Sequence, residues 1–529
     1  MSRKFNQLSL FKTILLWVAL SIVAYTTLSA VWGQGSGWKR ILTGWQLGND
    51  NDPLDRIKVT LTALGGIGAV GYLVIKYRER SAFERGEADE KLVRAVQQLG
   101  DSSPQVRIAG VYALADVADT YEGPYHQRVV DILCGYLRTD RLLRDSNGNP
   151  RYATVEEGDP EDSPLSSDSA TESTILSVLS SHLKSRVGST VKSSDRVTTT
   201  PGLWSHCTLD LHGAIITEMI DFSETHIKEI NSQETWFTRN TYFQDATFED
   251  EANFWNSVFT QDADFGNTLF KKDADFENAT FSRYTTFQST RFAQNASFQK
   301  SLFKQSSDFR GSKFLQNAMF QDVTFEQVVN FRNSTFRKIL DFNHSTFNQS
   351  AAFDDSTFRG EVHIKSSHMH DNFSLKGCKF SNKIQIESTS FEKDVNFENS
   401  IFLNDAKVDS LDVKFGECSN FKNTIFLSDI TFTDCSFNGV VHFLRTAFLG
   451  NINVQTSTFV TYVDFDQSHF KGYVNFLNNT YMKGVGFTGA KFNSNLKGST
   501  KMRFPDGISF DLDGIPTGAS WMKFKNIKK

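Results

Sequence analysis

The sequence predicts a mainly β chain whose C-terminal half is a narrow β-solenoid, and three observations predict it. Phenylalanine recurs between Phe237 and Phe492 in alternating steps of 6 and 5 residues, as at Phe243, Phe248, Phe254, Phe259, Phe265, Phe270, Phe276 and Phe281. The residue two places before many of them is small, as at Ala246, Ala252, Ala263, Ala274 and Ala279. Between these positions the chain is rich in Asn, Asp, Ser, Thr and Gly, the residues of turns. A fixed period is the signature of a repeat architecture and has to be read first.

A helix cannot account for this beat. Steps of 5 and 6 place successive rings about 140° and 240° apart on a helix, which makes no apolar stripe. The filler residues also compete with helical backbone bonds. A flat strand fails too, because an odd step turns the side chain to the opposite face. The chain must therefore turn a corner in every unit, so that each ring points to a common axis. A small residue beside a large one fits a cramped interior packed to crystal density. The same reading places Phe298, Phe309, Phe320, Phe331, Phe342, Phe432, Phe443 and Phe465 inside, with Ile364, Met369, Leu375, Ile386, Val408 and Val413 standing in for some later rings. The beat slips after Val413, where the step to Phe421 takes 8 residues.

The stretches DADFGNTLF, DADFENATF, NASFQKSLF and TTFQSTRF resemble the pentapeptide-repeat family, and the resemblance covers about half of the chain. It implies a right-handed quadrilateral β-helix with four units per turn. The alternating 5 and 6 steps depart from that family's strict fives and leave the cross-section open. About 12 coils are expected, a rod of about 55–60 Å at roughly 4.8 Å per stacked strand.

In chain order, residues 1–80 are expected to form a membrane hairpin. Thr13–Trp32 holds no charge over a length that spans a bilayer core, although Leu28-Ser29-Ala30 also reads as a faint signal-peptide site. A second apolar run, 57–77, is Gly-rich and suits close helix approach, with a buried soluble helix as the competing reading. Basic residues before the first span and after the second favour both ends in the cytoplasm. Residues 81–190 read as a helical adaptor, similar to a HEAT-type pair. Its expected helices are Ala88–Gly100, one starting at Ser103-Pro104, Tyr125–Leu142 and Ser173–Val187, with a flexible linker at 145–168. Residues 205–495 are the solenoid, opened by the degenerate units Leu211, Ile216, Phe222 and Ile227. Residues 496–529 form a cap over the last coil and a basic tail. The order of DPLDRIKVTLTALGGIGAVGYLVIKYRER, KLVRAVQQLGDSSPQVRIAGVYALADVAD and HQRVVDILCGYLR resembles membrane-anchored bacterial pentapeptide-repeat proteins. That implies the bacterial inner membrane, with the repeats in the cytoplasm and the lipid bilayer as one partner.

Five scattered Cys, odd in number and without CxxC spacing, favour free thiols in a reducing compartment. A net charge of −5 over 529 residues argues against nucleic acid as a partner of the whole chain. No phosphate loop, nucleophile elbow or zincin motif occurs, so no catalytic, cofactor-binding or metal residue is assigned and a non-enzymatic role is expected. His363, His368 and His370 flank inward Ile364 and Met369 and are expected to face outwards. The expected role is a scaffold that offers ladder faces to a protein partner or to a second copy. The alternative is mimicry of duplex DNA towards an enzyme such as gyrase. It draws on the acidic segment 241–280, whereas 281–340 is net basic. The inward assignment makes Phe298→Ala or Phe309→Ala cost about 3–5 kcal/mol, against under about 0.5 kcal/mol for Gln299→Ala. Thermal melts of the three variants check this.

Overall fold

The computed structural model describes residues 53–152, 164–184, 186–187 and 199–524, with isolated positions between 19 and 38. The chain divides into two units, Met1–Arg94 and Ala95–Lys529. Four parallel sheets of 13 or 14 strands make up most of the second unit. One coil serves to define them: Ala252–Asn253 lies in the first face, Val258–Phe259 in the second, Ala263–Asp264 in the third and Leu269–Phe270 in the fourth. Each strand pairs with the strand one coil on, and Ala252↔Ala274, Val258↔Thr280, Ala263↔Thr285 and Leu269↔Arg291 fix the 22-residue register. About thirteen turns result, slightly more than the sequence count, because the degenerate units at Leu209, Ile216, Phe222 and Ile227 complete a coil of their own.

The alternation of 5 and 6 is explained by two kinds of corner. The corners between the first and second faces and between the third and fourth take 5 residues. They turn through a left-handed residue such as Asn256 (φ 55°), Asn267 (φ 56°), Asn278 (φ 59°) or Asn333 (φ 59°). Asn and Asp tolerate this conformation better than other side-chain-bearing residues. The small residue that follows is buried, and where it is Ser or Thr its hydroxyl in most coils donates to a carbonyl of the preceding coil. Thr268 reaches Phe243 O at 2.8 Å and Ser312 reaches Phe287 O at 2.9 Å. The remaining two corners take 6 residues.

Inside, the rings stack in columns. Phe248 lies 4.9 Å from Phe270 at 3°, and Phe276 lies 5.0 Å from Phe298 at 4°. Neighbouring columns meet edge to face, as at Phe254 and Phe265 (5.6 Å, 79°). Both arrangements suit the aromatic quadrupole. Where Ile364, Leu375 and Ile386 replace Phe, an apolar cavity of about 20 Å³ remains.

The slip lies earlier than the beat placed it. Ile384↔Val408, Ser390↔Lys414 and Ile401↔Ile425 are each 24 apart, so the two extra residues fall between Phe402 and Val408. Val408 and Val413 fill small-residue seats, and Ser410 and Phe415 take the inward positions, Phe415 stacking on Phe437 at 4.6 Å. Valine is apolar enough to pass for a core residue and small enough for the seat two before it.

Among the described residues no helix is long and apolar enough to cross a membrane. The expected span 13–32 falls largely outside them. The expected span 57–77 forms the first half of α1 (Pro53–Leu99), which does not stop at bilayer thickness. It runs on through the pairs Lys76–Glu79, Arg80–Glu84 and Arg94–Glu90, which support a solvated helix. α2 (Pro104–Tyr121) starts with Pro in its first turn, as read. α3 (Pro124–Leu137) ends before Leu142, because Arg141 turns back to bind the carbonyls of Tyr136 (2.8 Å) and Leu137 (2.5 Å). α4 (Ser169–Leu183) starts and ends four residues before the expected span. The expected linker begins and ends in antiparallel bridges, Arg144↔Pro150 and Tyr152↔Pro164, and its residues 153–163 lie outside the described ones.

Both ends of the column are covered. α3 packs on Thr208–Asp210 and α4 on Ile220–Asp221. At the other end Met502–Arg503 pairs with Val474–Asn475 and Ser520–Met522 with Lys491–Asn493, so the cap extends two of the ladders. Covering the open coil keeps unpaired strand edges from other chains. Residues 525–529 of the basic tail lie outside the described residues.

Coil-to-coil contact is tightest at glycine corners. A Cβ on Gly439 would lie 1.3 Å from the Glu417 carbonyl oxygen, and one on Gly360 2.0 Å from that of Lys338. Gly439→Ala is therefore expected to cost about 1–3 kcal/mol through a forced backbone shift, read as a lowered melting temperature. Gly135→Ala, where nothing stands within 4 Å, should leave stability unchanged or raise it slightly.

Candidate interaction surface

Each strand turns one residue outward just before its inward side chain, mostly half-buried or exposed but buried at Asp308, Asp341 and Ala352, and these residues repeat every coil. They form rows along the column. In the first face Asn475 donates to Asn453 (2.7 Å), and in the third Asn420 donates to Asn396 (3.1 Å). Amide rows of this kind use the same stacking as the backbone ladders. Opposite charges are matched between coils in the same way: Lys271 with Glu249 (2.6 Å), Lys300 with Glu277 (3.0 Å), Lys365 with Glu387 (3.0 Å) and Arg332 with Asp354 (2.9 Å). A shallow polar groove of about 210 Å³ opens on the third face, lined by Ser374, Asp394, Asn396, Cys418 and Asn420.

All sixteen rings assigned inward from the sequence are at most 2% exposed. They form the interior of the column. His363 lies beside Glu361 (3.1 Å) and His370 beside Glu392 (2.9 Å), while His368 is exposed. Ile364 and Met369 are buried between them. Among the described residues no group of His, Cys, Asp or Glu has the arrangement to hold a metal ion. The five cysteines are free. Burial pushes the Cys134 and Cys207 thiols up to about 12, which suppresses the nucleophilic thiolate.

Sequence reasoning missed the polar lock between the helices and the first coil. Glu172, fully buried on α4, accepts from the Thr217 backbone N–H (2.6 Å), the Thr217 hydroxyl (2.9 Å) and the Glu218 N–H (3.2 Å), and pairs with buried Arg141 (3.3 Å). Gln127 on α3 clamps Thr208 from both sides, donating to its carbonyl and accepting from its N–H at 2.9 Å each. Asp168 takes two bonds from Arg107 (3.1 and 2.8 Å) and one from the Tyr136 hydroxyl. Burial pushes the Asp168 carboxyl up, but the hydrogen bonds from Arg107, Thr171 and Tyr136 outweigh it and hold it below the usual carboxylate range. The one available signal was a Glu at the fourth position of a helix whose later inward residues, Ile175, Leu176, Val178, Leu179 and Leu183, are apolar.

A family described as pentapeptide repeats, in nine copies, matches residues 233–280, 265–313, 287–335 and 320–368. Residues 233–368 of the column are a run of pentapeptide repeats. The match begins after the degenerate first coil, covers the coils where Phe is unbroken, and ends at 368, close to where Ile364 and Met369 begin to replace it. No curated protein and no solved structure matches the chain. The pentapeptide-repeat column therefore has to be interpreted from its own surface.

His126 on α3 provides a pH test of the junction. Its ring is 6% exposed, 5.1 Å from His206 and 6.3 Å from Trp204, and neither nitrogen has a hydrogen-bond partner. Burial, followed by repulsion from His206, lowers its pKa. A histidine held neutral in the fold contributes its stability fully above its unfolded pKa of about 6.5 and loses it as pH falls below that value. Calorimetric melts should show stability decreasing from pH 7.5 to 5.5, with a shallower slope in His126→Phe.

Proposed function

We propose that the chain is a non-catalytic scaffold whose pentapeptide-repeat column is a contact surface for a protein partner or for a second copy of the chain. One observation carries this reading. Inward rings, small seats and left-handed corners consume the repeat, and what remains outward is a set of flat, regular rows with one residue per strand and no enclosed cleft. Such rows suit a partner that is itself extended. The groove around Asn396 and Asn420 offers it polar side chains, among them the Asp394 carboxylate.

Attachment to the bacterial cytoplasmic membrane, with the column in the cytoplasm, is part of this proposal. The uncharged run Thr13–Trp32 and the flanking bases support it. DNA mimicry is the weaker reading. It needs a sustained carboxylate surface, yet Glu249, Glu277, Asp308 and Asp354 are each engaged by a Lys or Arg.

Capture with the full chain from solubilised native membranes tests the proposal. The expected result is a specific envelope protein, or the chain itself, whose retention is lost in Asn396→Arg/Asn420→Arg while the fold is kept. Predominant capture of a DNA-processing enzyme, weakening steeply with salt, overturns the scaffold in favour of mimicry. Release of the chain from membranes by alkaline carbonate overturns the integral tether.

A further inference from the structure

The fourth face gathers cations that lack the inter-coil charge matching of pairs such as Lys300–Glu277 and Lys365–Glu387. At its outward positions Arg291, Lys313, Arg337, Arg359 and Lys379 are all exposed. Among the described residues none of the five forms an ion pair. Arg291 and Lys313 sit directly opposite in paired strands. Arg337 and Arg359 follow the stacked residues Phe336 and Phe358. Like charges opposed on one sheet face are destabilising, and neighbouring coils lie about 4.8 Å apart, well within a screening length of roughly 8–10 Å. Earlier on the same face the pair Lys271–Glu249 shows that the repeat accommodates an opposite charge here. From Arg291 to Ser381 the outward positions flanking the inward rings hold no carboxylate.

The same row then turns apolar without a break. Lys379 pairs with Ile401, Ile401 with Ile425 and Ile425 with Ala447. Leu403, Leu427 and Leu449 stand beside them, Leu403 38% exposed. Beyond this patch His469 and Lys491 continue the row. A flat sheet face therefore carries a cationic strip, an aliphatic patch and further basic groups in line.

We propose that this fourth face docks on a bilayer surface containing anionic phospholipids, the cations meeting headgroup phosphates and the aliphatic patch entering the interface. Basic clusters beside apolar surface are the recognised chemistry of such docking. A nucleic acid fits less well, because the face between Arg291 and Leu449 has no aromatic side chain on which bases could stack. The inference rests on the column as a contact scaffold and does not need the N-terminal tether.

The test uses the full chain with Cys418→Ser, carrying a fluorophore at Leu427→Cys on the fourth face or at Gln299→Cys on the first. Vesicles of phosphatidylglycerol and phosphatidylcholine bearing a nitroxide-labelled lipid are expected to quench the first label and leave the second unchanged. Pure phosphatidylcholine should quench neither. Arg291→Glu/Lys313→Glu/Lys379→Glu should weaken the response more than about tenfold. The milder Arg291→Gln/Lys313→Gln/Lys379→Gln should weaken it by a smaller factor, with melting curves reporting that both remain folded. The proposal is overturned by an unchanged Leu427 label, by equal quenching without phosphatidylglycerol, or by full quenching in the charge-reversed chain. It is also overturned by a response to single- or double-stranded DNA in place of vesicles, or by a concentration-dependent response of the chain alone, which would assign the face to a second copy. Carbonate release of the chain with this response intact would remove the tether and keep the face. Failed partner capture with this response intact would do the same for the protein-partner reading.

Discussion

Ring-on-ring stacking at a 22-residue register is the constraint on which the rest of the structure depends. A parallel ladder sets neighbouring coils about 4.8 Å apart, and offset aromatic rings are comfortable at nearly the same separation. Phe397 and Phe421 keep 5.0 Å and 5° even though two residues have been inserted between their coils. Backbone spacing and side-chain spacing therefore reinforce each other, which is the agreement between levels that gives a sequence one structure. The interior needs little more, because two-residue strands suffice when each is paired on both sides.

That constraint leaves the outward positions chemically free, and their use is uneven. Most of the column spends them on its own cohesion, in Asn rows and in pairs such as Lys376–Glu398 (3.2 Å) and Lys393–Glu417 (2.5 Å). The third face opens a polar groove, and the fourth gathers unpaired cations beside aliphatic residues. Departures from self-pairing are where an external partner has something to gain, since a group already satisfied within the chain offers little to another molecule.

Much of the fold was legible because the Phe beat is a global signal that local propensity does not blur. The inward rings, the small seats and the atypical first and last coils all follow from counting. What counting could not reach was of two kinds. Valine at 408 and 413 satisfies either an inward position or a small seat, so the slip was misplaced by a few residues until Phe415 was seen stacked on Phe391 (5.6 Å) and Phe437. The lock through Glu172, Arg141 and Gln127 joins residues 31 to 81 positions apart, and one sequence without partners does not show which polar residues meet. The candidate surface was the least legible part. Charge totals averaged the basic fourth face with acidic corners around the same coils, and only the register separates them.

Hydroxyl-radical footprinting of the full chain tests the central claim most directly, because the molecule supplies its own reference. Phe510 and Phe83 are 50% and 74% exposed, while Phe298 and Phe309 are fully buried. The account predicts rapid oxidation of the first pair and strong protection of the second. Oxidation of Phe298 and Phe309 at the rate of Phe510 in the folded chain would contradict it.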